Sequence, residues 1–120
     1  MSDLIKNIGD SEFELEVLKN NGLVLVDFFS PRCGPCLHLS PNLEKLASDM
    51  NSIVKIIKIN VDENNQYSSE YGVRSIPNLI LFKNGSKVDE MVGSKVDEMI
   101  GSKTVEKLKE FIEKHNNLKE

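Results

Sequence analysis

The sequence has few cysteines, no long apolar run and no excess of basic side chains. Its 120 residues include 2 cysteines, too few for the disulfide framework of a small secreted scaffold. No apolar stretch approaches the roughly 18 residues that a membrane span needs, and no signal-peptide core follows Met1. The 15 basic and 19 acidic side chains give a formal net charge of −4, whereas nucleic-acid-binding domains usually carry a basic face. We therefore expect no secreted scaffold, no membrane protein and no nucleic-acid-binding protein.

The composition is that of a globular domain. Apolar residues make up 39% of the chain and charged residues 28%, which is an ordinary balance for a folded protein. A chain of this length forms one domain and buries about two-thirds of its unfolded surface. We predict a single domain over residues 1–120 that needs neither a disulfide nor a metal for its stability.

Hydrophobic patterning predicts alternating strands and helices. Residues 23–29 (LVLVDFF) are apolar on both faces, which is typical of a central strand in a sheet covered on both sides. Residues 53–61 and 78–82 give two further strands, and Leu4-Ile5 gives a possible edge strand. Helical spacing predicts helices over residues 10–20, 33–50, 66–71 and 104–116. The order indicates an α/β protein whose mixed sheet of four to five strands is flanked by helices on both faces.

Eight residues occur twice in tandem. Residues 85–92 read GSKVDEMV and residues 93–100 read GSKVDEMI, too short and too few for a solenoid. Because the repeat has an even length, either copy places the same side chains on the same face of a strand. The hairpin signal Asn84-Gly85 favours the first copy. We predict that residues 86–92 pair with strand 78–82 and that residues 93–100 bulge outward, either as a tolerated duplication or as an insertion that alters a partner surface.

The two cysteines, Cys33 and Cys36, have three possible interpretations. A C-x-x-C pair that follows a strand in an α/β pattern favours a redox dithiol. A zinc site would need two more ligands, and the available His38 and His115 lack the spacing of a zinc finger. Two inert buried thiols are the third possibility. The surrounding pattern must distinguish them.

Several segments around the cysteines resemble one known family. They are VDFF at residues 26–29, PRCGPC at 31–36, KINVD at 58–62, YGVRSIP at 71–77 and FKNG at 82–85. Together they make the chain closely similar to the thioredoxin family over essentially its whole length, apart from the eight extra residues. The resemblance implies the thioredoxin fold and a protein-disulfide reductase that cycles between a Cys33–Cys36 dithiol and disulfide.

The resemblance also implies the partners and setting of the reaction. Electrons would come from a flavin-dependent thioredoxin reductase and pass to disulfide-containing proteins. The chain would need no cofactor besides its redox-active disulfide and no metal. It would act in the cytoplasm as a monomer.

The position of the cysteines predicts different roles for them. Cys33 begins helix 33–50, where unpaired N–H groups and the helix dipole stabilise a thiolate and lower the pKa of the thiol. We expect Cys33 to be the exposed nucleophile and Cys36, one turn further, to be the buried resolving thiol. Gly34 and Pro35 complete the active-site loop, and Pro35 fits the first turn because its missing N–H is not needed there.

Asp27 is an acid inside an apolar strand. Burial disfavours its charged form, so we expect a raised pKa, unless the side chain escapes at the strand end or pairs with a lysine. The resemblance implies that Asp27 is the general acid/base for Cys36, with Lys58 on the neighbouring strand as its electrostatic partner.

A loop distant in sequence supplies the expected substrate contacts. The resemblance implies that the Ile76-Pro77 bond is cis and faces the CGPC loop, where the backbone of Ile76 would pair with an extended substrate. It also implies a substrate contact from Gly101.

Arg32 departs from the family pattern, which usually has tryptophan before the first cysteine. The change removes a flat apolar docking platform, and the guanidinium charge should stabilise the Cys33 thiolate slightly and make the couple slightly more oxidising. Two alternatives to a general reductase follow from this change and the repeat. One is a redox partner of narrow specificity, and the other is a binding scaffold with an incidental dithiol.

Overall fold

Strands and helices alternate as far as the hairpin near the end of residues 4–116, the part of the chain that the computed structural model describes. The strands are β1 (Ile5–Ile8), β2 (Leu23–Phe29), β3 (Val54–Asn60), β4 (Asn78–Lys83) and β5 (Ser86–Met91). The helices are α1 (Asp10–Phe13), which continues as a π-helical segment over Glu14–Leu18, α2 (Gly34–Met50), α3 (Gln66–Glu70), α4 (Gly93–Met99) and α5 (Thr104–Glu113).

The five strands form one mixed sheet in the order β1-β3-β2-β4-β5. β3 pairs in parallel with both β1 and β2, and the hairpin β4-β5 joins antiparallel to β2. β2 is therefore central, as its apolar sequence predicted. The register places Asp27 opposite Lys58 on one side and Leu79 on the other.

Two apolar cores lie on the two faces of the sheet. Alternate residues of β2 point to opposite faces, so Leu23 and Leu25 join one core while Val24 and Val26 join the other. The first core is covered by α2, α4 and α5, and the second by α1 and α3. Asp27 shares the face of Leu25, so its carboxylate lies on the side of the sheet covered by α2.

The first copy of the repeat forms the edge strand, as predicted. β5 pairs with β4 from Met91 opposite Leu79 to Ser86 opposite Lys83. The turn that joins them has positive φ angles of 52° at Asn84 and 83° at Gly85, the combination that a tight hairpin turn requires. This turn fixes which copy enters the sheet.

The prediction that the second copy bulges outward is wrong. Residues 93–99 form helix α4, which packs on the sheet face that α2 covers. Val96 is fully buried and Met99 is 8% exposed. These two side chains are three residues apart, so one turn of helix brings both to the same side. The Thr104 hydroxyl, which bonds to the carbonyl of Met99 at 3.2 Å, ties α4 to the start of α5.

The extent of the domain, residues 1–120, stays a prediction, since residues 1–3 and 117–120 lie outside the described part of the chain. Within that part, we find no helix of the length and apolarity that a membrane crossing requires.

Candidate active site

The two cysteines form a disulfide at the start of α2. Cys33 is the N-cap residue with extended backbone (φ −93°, ψ 117°), and Gly34 and Pro35 form the first turn. Cys36 is 4% exposed, whereas Cys33 is half-buried. The pair thus has one accessible and one buried sulfur, as the sequence predicted.

The local electrostatics favour negative charge on the accessible sulfur. The backbone N–H of Cys36 points at Cys33 Sγ, 3.1 Å away. The first turn of α2 carries no acidic side chain. No carboxylate in that turn therefore offsets the positive end of the helix dipole, which stabilises negative charge on Cys33. When the disulfide opens, a thiolate on Cys33 therefore accepts a hydrogen bond that is already in place.

Asp27 lies buried on the α2 side of β2 with 1% exposure. Burial raises the pKa of its carboxyl to about 7, although the charge of Lys58 acts to lower it. Among the described residues, Oδ1 of Asp27 has no hydrogen-bond partner. A carboxyl group with a pKa near neutrality can both accept and return a proton at physiological pH.

Lys58 is the strand neighbour of Asp27 on β3. Its Nζ lies 4.5 Å from the centre of the Phe29 ring, and its ammonium charge favours the ionised form of the Asp27 carboxyl. The structure therefore brings together the two residues that the resemblance had paired.

The loop before β4 faces the disulfide. The Ile76-Pro77 peptide bond is cis, which confirms that part of the prediction. The carbonyl oxygen of Ile76 lies 3.7 Å from Cys33 Sγ, so an extended segment that reaches the sulfur also passes the backbone of Ile76. Substrate pairing along this backbone stays a prediction.

A different glycine from the predicted one contacts this loop. Gly101 is exposed, and a Cβ atom added to it would meet nothing within 4 Å. Gly93 is buried, and a Cβ atom there would lie 2.9 Å from both the carbonyl carbon and the Cβ of Ser75, next to Ile76. Because the first copy forms β5, the glycine that follows the strand is Gly93. Gly93 therefore occupies the place beside the substrate loop that was predicted for Gly101.

We predict that Gly93→Ala impairs the site and that Gly101→Ala, the matched control, does not. A methyl group at Gly93 must displace backbone atoms of Ser75, an overpacking that costs about 1–3 kcal/mol and shifts the loop opposite Cys33. Thermal unfolding and the kcat/KM for insulin reduction measure the two effects. If both variants match the parent in stability and turnover, the contact between Gly93 and Ser75 has no functional importance.

Sequence reasoning missed the partner of Arg32. Its guanidinium forms two hydrogen bonds to Asp62, from Nη2 to Oδ1 at 3.2 Å and from Nε to Oδ2 at 3.3 Å. The Ser30 hydroxyl donates to Oδ2 of Asp62 at 2.7 Å, and these contacts lower the pKa of the Asp62 carboxyl. The carboxylate offsets the guanidinium charge, so we now expect a smaller effect of Arg32 on the Cys33 thiolate.

Known proteins resemble this chain in sequence and in structure. A model of the Thioredoxin family matches residues 4–114. The chain is 48% identical over 89 residues to a thioredoxin of Rickettsia bellii (strain RML369-C), covering 74% of this chain and 85% of that protein. It is 44% identical over 88 residues to a thioredoxin of Pyropia yezoensis, covering 73% and 82%. A mutant thioredoxin from Halobacterium salinarum NRC-1 has a structure similar to 97% of this chain and 94% of that one, with a TM-score of 0.79 and 37% identity.

A mixed sheet flanked by helices, with a cysteine pair at the start of α2, defines a thiol–disulfide oxidoreductase. The family model spans most of the chain, and the curated relatives are thioredoxins. The chain belongs to the thioredoxin family, and its activity is the reduction of protein disulfides.

Proposed function

We propose that this chain takes electrons from a flavin-dependent thioredoxin reductase and passes them to disulfide-bonded proteins through Cys33. The observation that carries the proposal is the placement of Cys33 Sγ between the amide of Cys36 at 3.1 Å and the carbonyl of Ile76 at 3.7 Å. The amide of Cys36 stabilises the Cys33 thiolate by its hydrogen bond. The loop of Ile76 offers backbone hydrogen-bonding groups to an approaching substrate segment. The dithiol carries the electrons, so the reaction calls for no other cofactor.

The proposed cycle moves two electrons in two exchange steps. The Cys33 thiolate attacks one sulfur of the substrate disulfide, that bond breaks, and one substrate thiolate leaves. Cys36 then loses its proton to Asp27 and attacks Cys33 Sγ, so that the mixed disulfide breaks and the second substrate thiolate leaves. The products are a reduced substrate and the Cys33–Cys36 disulfide, which the reductase opens again with two electrons.

The setting of this cycle is part of the proposal. A dithiol reductase works in a compartment that keeps thiols reduced, which favours the cytoplasm. We propose that the chain acts there as a monomer.

The electron donor can be tested with purified components. We expect NADPH, a flavin-dependent thioredoxin reductase and this chain together to reduce insulin, with about one NADPH consumed for each disulfide opened. Omitting the chain should abolish the reaction, and dithiothreitol serves as a donor that needs no reductase. Insulin reduction with dithiothreitol but not with NADPH and reductase would contradict the proposed donor.

A narrower function is the second candidate. The Arg32–Asp62 pair presents charge beside Cys33, with 81% of the Arg32 side chain exposed, where the resembling family usually presents an apolar ring. A dedicated redox partner would accept electrons from the reductase and still reduce insulin slowly.

A pure binding scaffold is disfavoured because it would require neither the cysteine pair nor the buried Asp27.

A further inference from the structure

A groove lies at the edge of the sheet between β5, α4 and α5. Its volume is about 480 Å³, within the roughly 300–1,000 Å³ of known ligand sites. Its floor is apolar and consists of Met91, Val92, Met99 and Phe111. Val92 is 44% exposed, whereas Met99 and Phe111 are buried at 8% and 5% exposure, so Val92 is the part of the floor that is most open to solvent. We name this surface the repeat groove, because both copies of the repeat contribute to it.

The second copy of the repeat builds one wall of this groove. Lys95 and Met99 come from α4, which Val96 anchors in the core. The first copy supplies the strand residues of the opposite wall. A chain without residues 93–100 would keep β5 and α5 but lose this wall.

The rim of the repeat groove carries uncompensated positive charge. Lys95 and Lys107 line it, both are exposed, and neither has an ion-pair partner within residues 4–116. Lys114 also lines the groove, but it is paired with Asp89 at 3.8 Å. These ammonium groups surround an apolar floor.

The acidic residues of the groove are occupied by other partners. Asp89 is bonded to Nε2 of His115 at 2.8 Å. Glu90 is bonded to Nζ of Lys87 at 2.7 Å and to Nδ2 of Asn78 at 3.0 Å. Asp89 also lies 3.8 Å from Nζ of Lys114, so among the described residues that line the groove the unpaired charges are those of Lys95 and Lys107.

One backbone group of β5 beside this groove already has a partner. The N–H of Glu90 donates to Oδ1 of Asp89 at 2.8 Å. We expect a ligand of the groove to bind through side chains, with apolar groups on the floor and acidic groups on the rim.

The repeat groove adjoins the dithiol through a short series of contacts. Val92 in its floor is followed by Gly93, which packs against Ser75. The next residue, Ile76, places its carbonyl 3.7 Å from Cys33 Sγ. The Val92 end of the groove is therefore next to the loop that faces the sulfur.

We propose that the repeat groove is a docking site for acidic segments of substrate proteins that carry apolar anchor side chains. This inference rests on the proposed function, because the docked segment must belong to a disulfide-bonded substrate of Cys33. The complementarity is of two kinds: apolar side chains cover the exposed Val92 and the half-buried Met91, and carboxylates meet Lys95 and Lys107. Docking raises the effective concentration of the substrate disulfide near the nucleophile.

Binding of a synthetic peptide tests the groove separately from catalysis. The probe is a fluorescein-labelled octapeptide of alternating glutamate and leucine, and the control peptide has lysine in place of glutamate. Fluorescence anisotropy should show saturable binding of the acidic peptide to the full chain, weakened by salt. Combined Lys95→Glu and Lys107→Glu should weaken binding about tenfold, since two favourable charge contacts become repulsive. Deletion of residues 93–100 should abolish it.

A matched charge reversal outside the groove controls for net charge. Lys103 is exposed and does not line the groove, so Lys103→Glu should leave peptide binding unchanged. The proposal is overturned if the peptide does not saturate, if Lys103→Glu weakens binding as much as the double variant, or if the lysine peptide binds equally well. Insulin reduction by the parent, measured in parallel, reports on the proposed function alone. Peptide binding without insulin reduction would refute the function and the docking role, and insulin reduction without peptide binding would refute the groove.

Discussion

Cys33→Ser is expected to abolish disulfide reduction, whereas Cys36→Ser is expected to stop the reaction halfway. Cys33 is the accessible sulfur and receives the N–H of Cys36, so its removal leaves no nucleophile and should lower turnover at least about a thousandfold. Cys36 is buried at 4% exposure. It can therefore attack Cys33 Sγ in the mixed disulfide but not the disulfide of a free substrate. Its loss leaves the first attack intact and prevents resolution.

Trapping of substrate distinguishes the two variants. After incubation with insulin, mass spectrometry of the non-reduced Cys36→Ser variant should show one covalently linked insulin molecule, and that of Cys33→Ser should show none. Addition of dithiothreitol should release the adduct and serves as the control for a disulfide link. Equal trapping by both variants would show that the assignment of attacker and resolver is wrong.

Asp27→Asn should slow release of the mixed disulfide and leave the first attack nearly unchanged. The amide cannot take the proton of Cys36, and loss of a general base typically costs at least about a hundredfold. Single-turnover kinetics at pH 7 separate the two steps. Equal rates of release in the variant and the parent would remove Asp27 from the mechanism.

The same substitution should stabilise the fold in a pH-dependent way. The carboxyl has a pKa of about 7 in the folded chain against an ordinary value of 3.8, so the folded state binds more protons than the unfolded state between these values. The parent therefore loses stability as the pH rises from about 4 to about 7, by on the order of 4 kcal/mol in total. Asp27→Asn removes this loss, although its buried amide leaves hydrogen-bonding groups unpaired at a cost of about 1–3 kcal/mol.

Urea unfolding of both chains at pH 5 and pH 8 tests this dependence. The stability advantage of Asp27→Asn should be larger at pH 8 than at pH 5. Asp62→Asn is the flat control, because the Asp62 pKa is lowered in the fold and its contribution is lost only when the pH falls below the ordinary carboxyl value, so its effect should be the same at pH 5 and pH 8. An advantage of Asp27→Asn that does not change with pH would show that the carboxyl is not raised toward neutrality.

The sequence allowed prediction of β2, α2 and the cysteine pair because their signals are local. An apolar run of strand length and a CGPC segment at a helix start keep their meaning in any context. The sequence favoured burial of Asp27 but left open its escape at the strand end or pairing with a lysine, and the structure shows it buried at 1% exposure. These features account for most of the candidate site.

The repeat shows where local signals fail. The same six residues, SKVDEM, form strand β5 at 86–91 and helix α4 at 94–99, so propensity cannot distinguish the two copies. The first copy is extended because the Asn84-Gly85 turn aligns it with β4. The second is helical because Val96 and Met99 can then both enter the core.

Two site features depended on tertiary contacts that are remote in sequence. The pairing of Arg32 with Asp62 joins residues from different loops, and neither residue type indicates the other. The misplacement of the substrate-loop glycine at Gly101 was avoidable. Once the first copy is assigned to the sheet, the glycine that directly follows the strand is Gly93.

The reduction potential of the Cys33–Cys36 pair tests the central claim, that this chain is a reductant of protein disulfides. Equilibration with glutathione or dithiothreitol buffers, read by mass spectrometry after alkylation, gives the potential directly. We predict a value near the −270 mV that is general for thioredoxins, a figure taken from the family and not from this geometry, where about 30 mV corresponds to a tenfold change in equilibrium. A value near −120 mV, that of a strong oxidant, would contradict the account.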